Sequence, residues 1–136
     1  ASRDIMVTAP AVDDPKEQVM KYLVLLVGDG EEAPWSSLSA DEQAALMQKF
    51  GEFGAACTAR EGVAILGGEA LGGPEDATVM RTRAGSVTLT EGPYAEALEG
   101  LGGFYLVESP DLDTLVELLQ ALPRYDMQIS PVLDMP

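Results

Sequence analysis

The sequence contains no histidine. A Ser-His or Cys-His nucleophile system is therefore impossible, and so is a histidine-ligated zinc, iron or copper site built from this chain type. The usual side chain that titrates near neutral pH is missing. Any proton transfer would have to use carboxylates, tyrosine, lysine or cysteine.

Cysteine and basic residues are also scarce. Cys57 is the single cysteine, so no internal disulfide can form; we expect a cytoplasmic protein with Cys57 buried on a helix. Only 8 Lys and Arg stand against 23 Asp and Glu, which gives a net charge of -15. We exclude nucleic acid and membrane surfaces as partners, because phosphate-rich surfaces require clustered basic residues and no apolar run could cross a bilayer.

The 136 residues suffice for one domain with a substantial core. Residues 1–19 show little periodicity, so we interpret them as a flexible leader or a cloning remnant, and we assign 20–136 to the folded domain. Ile5, Met6 and Val7 are an apolar exception in that leader and could add an edge strand.

Hydrophobic periodicity predicts the order strand, helix, strand, hairpin, strand, helix, strand. The predicted strands span 21–28, 63–66, 78–83, 86–90, 102–108 and 127–133. A capping box of Ser39 and Glu42 begins the first helix, which runs to about Arg60, and Asp111 caps a second helix to Leu122. A further short helix should begin at Pro93. The apolar stripes of the two main helices are Leu46, Phe50, Phe53 and Cys57, and Leu112, Leu115, Val116, Leu119 and Leu122.

This order predicts an α+β fold, a ferredoxin-like split βαβ sandwich with an extra β-hairpin and two helices on one sheet face. The first strand is apolar on both faces, since Tyr22, Val24 and Leu26 alternate with other apolar residues. The helices can cover only one of these faces. We therefore expect a homodimer in which a second copy covers the other.

Several stretches, in order, carry a family resemblance. Glu91-Gly92-Pro93-Tyr94, followed by Glu96, Glu99 and Gly102-Gly103-Phe104-Tyr105, resembles the YCII-related family, in the branch named for an Asp-Gly-Pro-Phe motif. The resemblance extends over roughly Met20 to Leu133 and implies a ferredoxin-like fold that dimerises as an α/β barrel. Glu91 and Tyr94 replace the usual Asp and Phe, while Leu98 and Ser130 stand where Lys and Arg are common.

Side chains able to carry chemistry fall at predicted strand ends and turns. Glu91 is our candidate acid/base catalyst, against the alternative of a solvated turn carboxylate. Arg81 is its predicted polar neighbour and could bind a substrate carboxylate, or else pair with one of the many acids. The further candidate ligand-binding residues are Tyr94, Trp35, Asp29, Glu69 and Tyr105. For Tyr94 and Trp35, packing is the alternative role.

We expect neither a metal nor a cofactor. Glu31-Glu32 lack the spacing of a cation-binding loop, and the glycine pairs at 67–68 and 72–73 lack the Lys-Ser/Thr of a phosphate-binding loop.

Two classes of function remain open. The first is a protein that acts on or binds a small organic molecule in a cleft of the dimer; the resemblance implies a superfamily that includes lyases, isomerases, monooxygenases and dechlorinating enzymes. The His-Asp pair proposed as catalytic in some relatives cannot form here, because the chain has no histidine. The second is a non-catalytic regulatory or protein-interaction module, since the resemblance implies association with sigma-factor signalling.

Overall fold

The computed structural model describes residues 19–28, 35–95, 100–123 and 125–134. The described elements are, in chain order, β1 Met20–Val27, α1 Ala40–Ala59, β2 Ala64–Ala70, β3 Thr78–Arg83, β4 Ser86–Glu91, β5 Leu101–Ser109, α2 Leu112–Leu119 and β6 Asp126–Pro131. Residues 1–18, which hold almost all of the predicted leader, and residues 96–99, which hold most of the short helix expected after Pro93, lie outside the described part of the chain.

The six predicted strands and the two main helices are confirmed, with shifts at their ends. Strand β2 is longer than predicted because Gly67 to Ala70 continue the antiparallel pairing with β5. Helix α2 ends three residues early, at Leu119. There the backbone tightens into bonds from Ala121 to Leu118 and from Leu122 to Leu119. Pro123 follows and disfavours a helical conformation at the residue before it.

The four strands β2, β5, β1 and β6 form one antiparallel sheet in that order. With β3 and β4 set aside, this is the order of a ferredoxin-like split βαβ fold. Strands β3 and β4 form a separate two-stranded sheet. They follow β2 and precede β5 in the sequence, although β2 and β5 are neighbours in the four-stranded sheet. The α+β fold with an extra hairpin, predicted from the sequence, is therefore confirmed.

Both helices pack on one face of the four-stranded sheet. Tyr22, Val24 and Leu26 of β1 are buried there against the first helix's Phe53 and Cys57. The second helix adds Leu115, Leu118, Leu119 and the following Leu122. Cys57 is buried, as predicted, and desolvation raises the pKa of its thiol. Val116 was predicted in the α2 stripe but is 41% exposed, whereas Leu118, three residues after Leu115, is buried.

The opposite face of the sheet is apolar at its centre, on β1 and β5, and is covered by neither helix. Leu23 pairs with Leu106, and Leu25 pairs with Phe104, so four large side chains share this face. All four are half-buried in the single subunit. We call this surface, formed by Leu23, Leu25, Phe104 and Leu106, the open sheet face.

Candidate functional site

The β3–β4 hairpin positions the predicted site residues. Ala84 and Gly85 both have positive φ, 50° and 82°, which is the conformation of a two-residue type I′ turn. This turn sets a regular register in which Arg81 pairs with Thr88 and Glu91 pairs with Thr78. Because side chains alternate along a strand, Arg81 and Glu91 lie on opposite faces of the hairpin.

The prediction that Arg81 and Glu91 are neighbours is therefore wrong for the single subunit. Glu91 lies at the open end of the hairpin, whereas Arg81 lies three positions further toward the turn. The short Ala84-Gly85 turn leaves no bulge that could shift the two strands and bring these residues level. Glu91 is exposed.

Arg81 instead lies beside Tyr94. Gly92 has a φ of 102°, a conformation that side chains oppose, and its N–H donates to the carbonyl of Ala77 at 2.8 Å. The chain therefore bends at the base of the hairpin as it enters Pro93. Tyr94 follows, and the guanidinium carbon of Arg81 lies 5.1 Å from the centre of its ring. This distance is within the range of a cation–π contact.

Tyr94 also lines a cavity of about 340 Å³ at the base of the hairpin. The other walls are mainly apolar and come from three further parts of the chain: the segment after β2, the start of β3, and the start of β5. Leu71, Val79 and Leu101 represent these three parts, and Asp76 and Thr78 supply polar groups. Thr78 is the strand partner of Glu91, so Glu91 lies next to the cavity wall although it does not line the cavity. The arrangement is a partly open cleft of the size of a small organic molecule.

The other predicted site residues lie elsewhere or lie outside the described residues. Tyr105 packs edge-on against Phe53, with 5.0 Å between ring centres, and desolvation is the main cause that raises the pKa of its phenol. Glu69 pairs with Phe104, beside the open sheet face. Trp35 is 49% exposed in a 3-10 turn, where its carbonyl accepts a hydrogen bond from Nε2 of Gln43 at 2.9 Å. Asp29 is outside the described part of the chain.

A second, larger groove of about 880 Å³ runs between the end of α2 and β6. Leu119, Tyr125 and Met127 are among the residues that line it. No sequence motif pointed to this groove, because its apolar lining residues look like ordinary core residues of α2 and β6. The same is true of Leu71 and Leu101, which look like ordinary core residues in the sequence but form cavity walls.

Within the described ranges, the chain shows neither a metal-binding cluster nor a membrane-spanning helix. No group of three or more Cys, Asp or Glu side chains is arranged to hold a metal ion among the residues described. In the same part of the chain, no helix has the length and apolar character needed to cross a bilayer.

Comparison with known proteins agrees with the fold. No curated protein gives a significant match to the chain. Residues 20–135 match the family model of the YCII-related domain, so the match begins at β1 and continues past β6. This range includes the hairpin, the cavity and the Arg81–Tyr94 contact. The chain therefore belongs to the YCII-related family.

Proposed function

We propose that this protein binds a small organic molecule in the cavity at the base of the β3–β4 hairpin. The observation that supports the proposal is the Arg81–Tyr94 contact at the margin of a cavity of about 340 Å³. Ligand sites in proteins are typically concave and mostly apolar with a few polar groups, and they range from about 300 to 1,000 Å³. The cavity fits the lower end of that range.

The cavity walls suit a ligand with an apolar body. Leu71, Val79 and Leu101 would contact that body, while Thr78 offers a hydroxyl for a polar substituent. Tyr94 is 61% exposed at the edge of the cavity and can adjust its ring to the ligand without disturbing the core. Affinity would come mainly from burial of apolar surface, at about 25 cal/mol per Å² before the costs of association.

We also propose that the functional unit is a homodimer joined through the open sheet face. Leu23, Leu25, Phe104 and Leu106 form a continuous apolar surface that the subunit's own helices cannot reach. A second copy offers the same surface, and a two-fold axis between the two sheets would let each copy cover the other. Glu69 lies beside this face and would then be close to the boundary between the subunits.

A ligand screen tests the proposed binding site. We expect thermal-shift hits among small aromatic and aliphatic molecules, confirmed by calorimetry, and we expect Tyr94→Ala to remove them. Trp35→Ala is the matched control, because Trp35 is also an exposed aromatic residue but lines neither cavity. Hits that survive Tyr94→Ala, or that disappear in both variants, would contradict a site at the hairpin base.

If the bound molecule is also a substrate, we propose Glu91 as the acid/base catalyst. Its strand partner Thr78 lines the cavity, which makes Glu91 the carboxylate one strand away from a bound ligand. Thr78 and Glu91 are paired and share one hairpin face, so proton transfer by Glu91 would require the ligand to extend beyond Thr78 on that face. Turnover that disappears in Glu91→Gln while ligand affinity stays intact would support this role.

A regulatory or protein-interaction module is the second candidate, and the outer face of the hairpin favours it. Met80 and Leu89 are directly paired and are 64% and 69% exposed, and Val87 beside them is 57% exposed. Large apolar side chains grouped on a surface are typical of protein contacts. A purified sigma factor that binds the protein, and no longer binds after Leu89→Asp, would support this candidate.

A further inference from the structure

We infer that the molecule bound at the hairpin base is a small monocarboxylic acid whose carboxylate binds Arg81. This inference rests on the proposed binding function and adds the chemical class of the ligand. The inference follows from the surroundings of Arg81, which differ from those of Arg60 and Arg83.

Arg81 lacks a carboxylate partner among the described residues, although the chain carries 23 acids and only 8 basic residues. The ion pair in the described part of the chain joins Arg60 to Glu117 at 3.0 Å. The guanidinium of Arg83 donates to the carbonyl of Thr82 at 3.0 Å. For the guanidinium of Arg81, the described residues supply the face of Tyr94 and no hydrogen-bond acceptor. Within the described ranges, its N–H donors therefore remain available to a ligand.

The burial of Arg81 and its contact with Tyr94 also favour an anionic ligand. Arg81 is half-buried as a residue, and the ring of Tyr94 lies beside its guanidinium and limits the access of water on that side. A partly desolvated guanidinium gains more from an anion than a fully hydrated one does. The guanidinium carbon lies 5.1 Å from the centre of the Tyr94 ring. A guanidinium is planar and can offer two parallel N–H groups to the two oxygens of a carboxylate. The site is therefore prepared for a planar anion.

The charge of the protein limits the ligand to one negative group. The net charge of -15 opposes the approach of a multiply charged anion such as a phosphate ester, and one arginine cannot compensate for it. Asp76 forms part of the cavity wall, so a second acid group inside the cavity would meet a carboxylate. The apolar walls at Leu71 and Leu101 require an organic body behind the carboxylate. These constraints together define a monocarboxylic acid with a small apolar skeleton.

Matched pairs of acids and amides test the inference by calorimetry. Benzoate and benzamide share a shape but differ in charge, as do hexanoate and hexanamide, and terephthalate adds a second acid group to benzoate. We expect at least one acid to bind about tenfold more tightly than its amide, the usual scale for a hydrogen-bonded charge. Terephthalate should bind more weakly than benzoate. Raising the salt concentration should weaken the acid more than the amide.

Substitutions of Arg81 test whether this residue causes the preference for the acid over the amide. Arg81→Gln should remove the preference of the acid over the amide, and Arg81→Lys should restore part of it, because lysine keeps the charge but not the planar fork. Arg83→Gln is the matched control, since it removes the same charge from the same strand face and should leave the preference intact. Melting temperatures of all three variants check that the fold is retained.

Two results would overturn the inference. An amide that binds as tightly as its acid, in a manner that depends on Tyr94, would refute the carboxylate assignment and leave the proposed binding function standing. Failure of all the acids to bind the wild-type protein would also refute the assignment, and the broader ligand screen would then decide the proposed function independently.

Discussion

The guanidinium carbon of Arg81 lies 5.1 Å from the centre of the Tyr94 ring, and this contact joins the middle of β3 to the chain that leaves β4. The bend at Gly92 makes the contact possible, because a residue with negative φ there would send Pro93 and Tyr94 in another direction. The contact therefore links the geometry of one glycine to the shape of the candidate site.

We predict that Arg81 and Tyr94 are energetically coupled. A double-mutant cycle with Arg81→Gln and Tyr94→Leu should show a coupling of about 0.5–1 kcal/mol in the free energy of unfolding, the usual range for exposed cation–π pairs. Denaturant melts of the four proteins give the value. A parallel cycle with Arg83→Gln in place of Arg81→Gln should be additive. Additive behaviour at Arg81 would show that the contact contributes nothing in solution.

The adjacent glycines of β2 should respond very differently to alanine. A Cβ atom added at Gly68 would lie 2.7 Å from the carbonyl oxygen of Phe104 and 2.7 Å from Cδ1 of Tyr105. The strand backbone and the packed ring cannot both move away cheaply, so Gly68→Ala should reduce the free energy of unfolding by about 1–3 kcal/mol.

Gly67→Ala is the matched control for this prediction. A Cβ atom at Gly67 would meet no atom within 4 Å, and its φ is not positive. We expect Gly67→Ala to leave stability unchanged or to raise it by up to about 1 kcal/mol, because alanine restricts the unfolded chain. Equal effects of the two substitutions in a denaturant melt would mean that Tyr105 does not lie over Gly68 as described.

Local signals predicted much of the fold. The Ser39–Glu42 capping box forms at the start of α1, with the N–H of Glu42 donating to Ser39 Oγ at 3.1 Å and the N–H of Ser39 donating to Glu42 at 2.8 Å. The turn at Ala84-Gly85 likewise joins the two strands that the pattern predicted. Such features depend on residues close in sequence, so a pattern of a few residues suffices to find them.

The candidate site was harder to predict because it depends on relations that sequence does not encode locally. Alternation along β3 and β4 fixes the faces of Arg81 and Glu91, but only once the register is known, and the predicted register was too loose to separate them. The contact of Arg81 with Tyr94 depends on the positive φ of Gly92, which a Gly-Pro pair permits but does not require. The cavity walls at Leu71 and Leu101 come from distant parts of the chain.

The cap of α2 should make stability depend on pH. The N–H of Thr114 donates to Oδ1 of Asp111 at 2.7 Å, and this hydrogen bond, with a smaller contribution from Arg60, lowers the pKa of Asp111. A carboxyl whose pKa is lower in the folded state contributes stability that is fully present above its unfolded pKa, about 3.9 for Asp. That contribution is lost as the pH falls through the folded pKa.

Asp111→Asn tests this prediction, because asparagine also caps helices but does not titrate. Denaturant melts at neutral pH and near pH 3 should show a smaller loss of stability for the variant than for the wild type. Glu42 also has a lowered pKa and is present in both proteins, so the difference between them isolates Asp111. An identical loss in the two proteins would rule out a role for the Asp111 charge.

Assembly should depend on the open sheet face. Leu25 lies at its centre, paired with Phe104, so Leu25→Glu should convert the proposed homodimer to a monomer in sedimentation experiments. Met47→Glu is the control, because Met47 is 57% exposed on α1, away from this face. Circular dichroism should show both variants folded. A wild-type protein that is monomeric at micromolar concentration, or a Leu25→Glu dimer, would contradict the proposed assembly.

Replacement of Glu91 by Gln separates binding from catalysis. The side chain of Glu91 emerges on the hairpin face opposite Arg81, so we expect Glu91→Gln to change the affinity for an acid such as benzoate by less than about twofold, since no direct contact is lost. Because Glu91 is exposed, the free energy of unfolding should stay within about 0.5 kcal/mol of the wild-type value. Calorimetry and a denaturant melt measure the two quantities. A large loss of affinity in a normally stable variant would mean that the ligand reaches Glu91, and the site would then extend beyond Thr78 on the hairpin face that the two residues share.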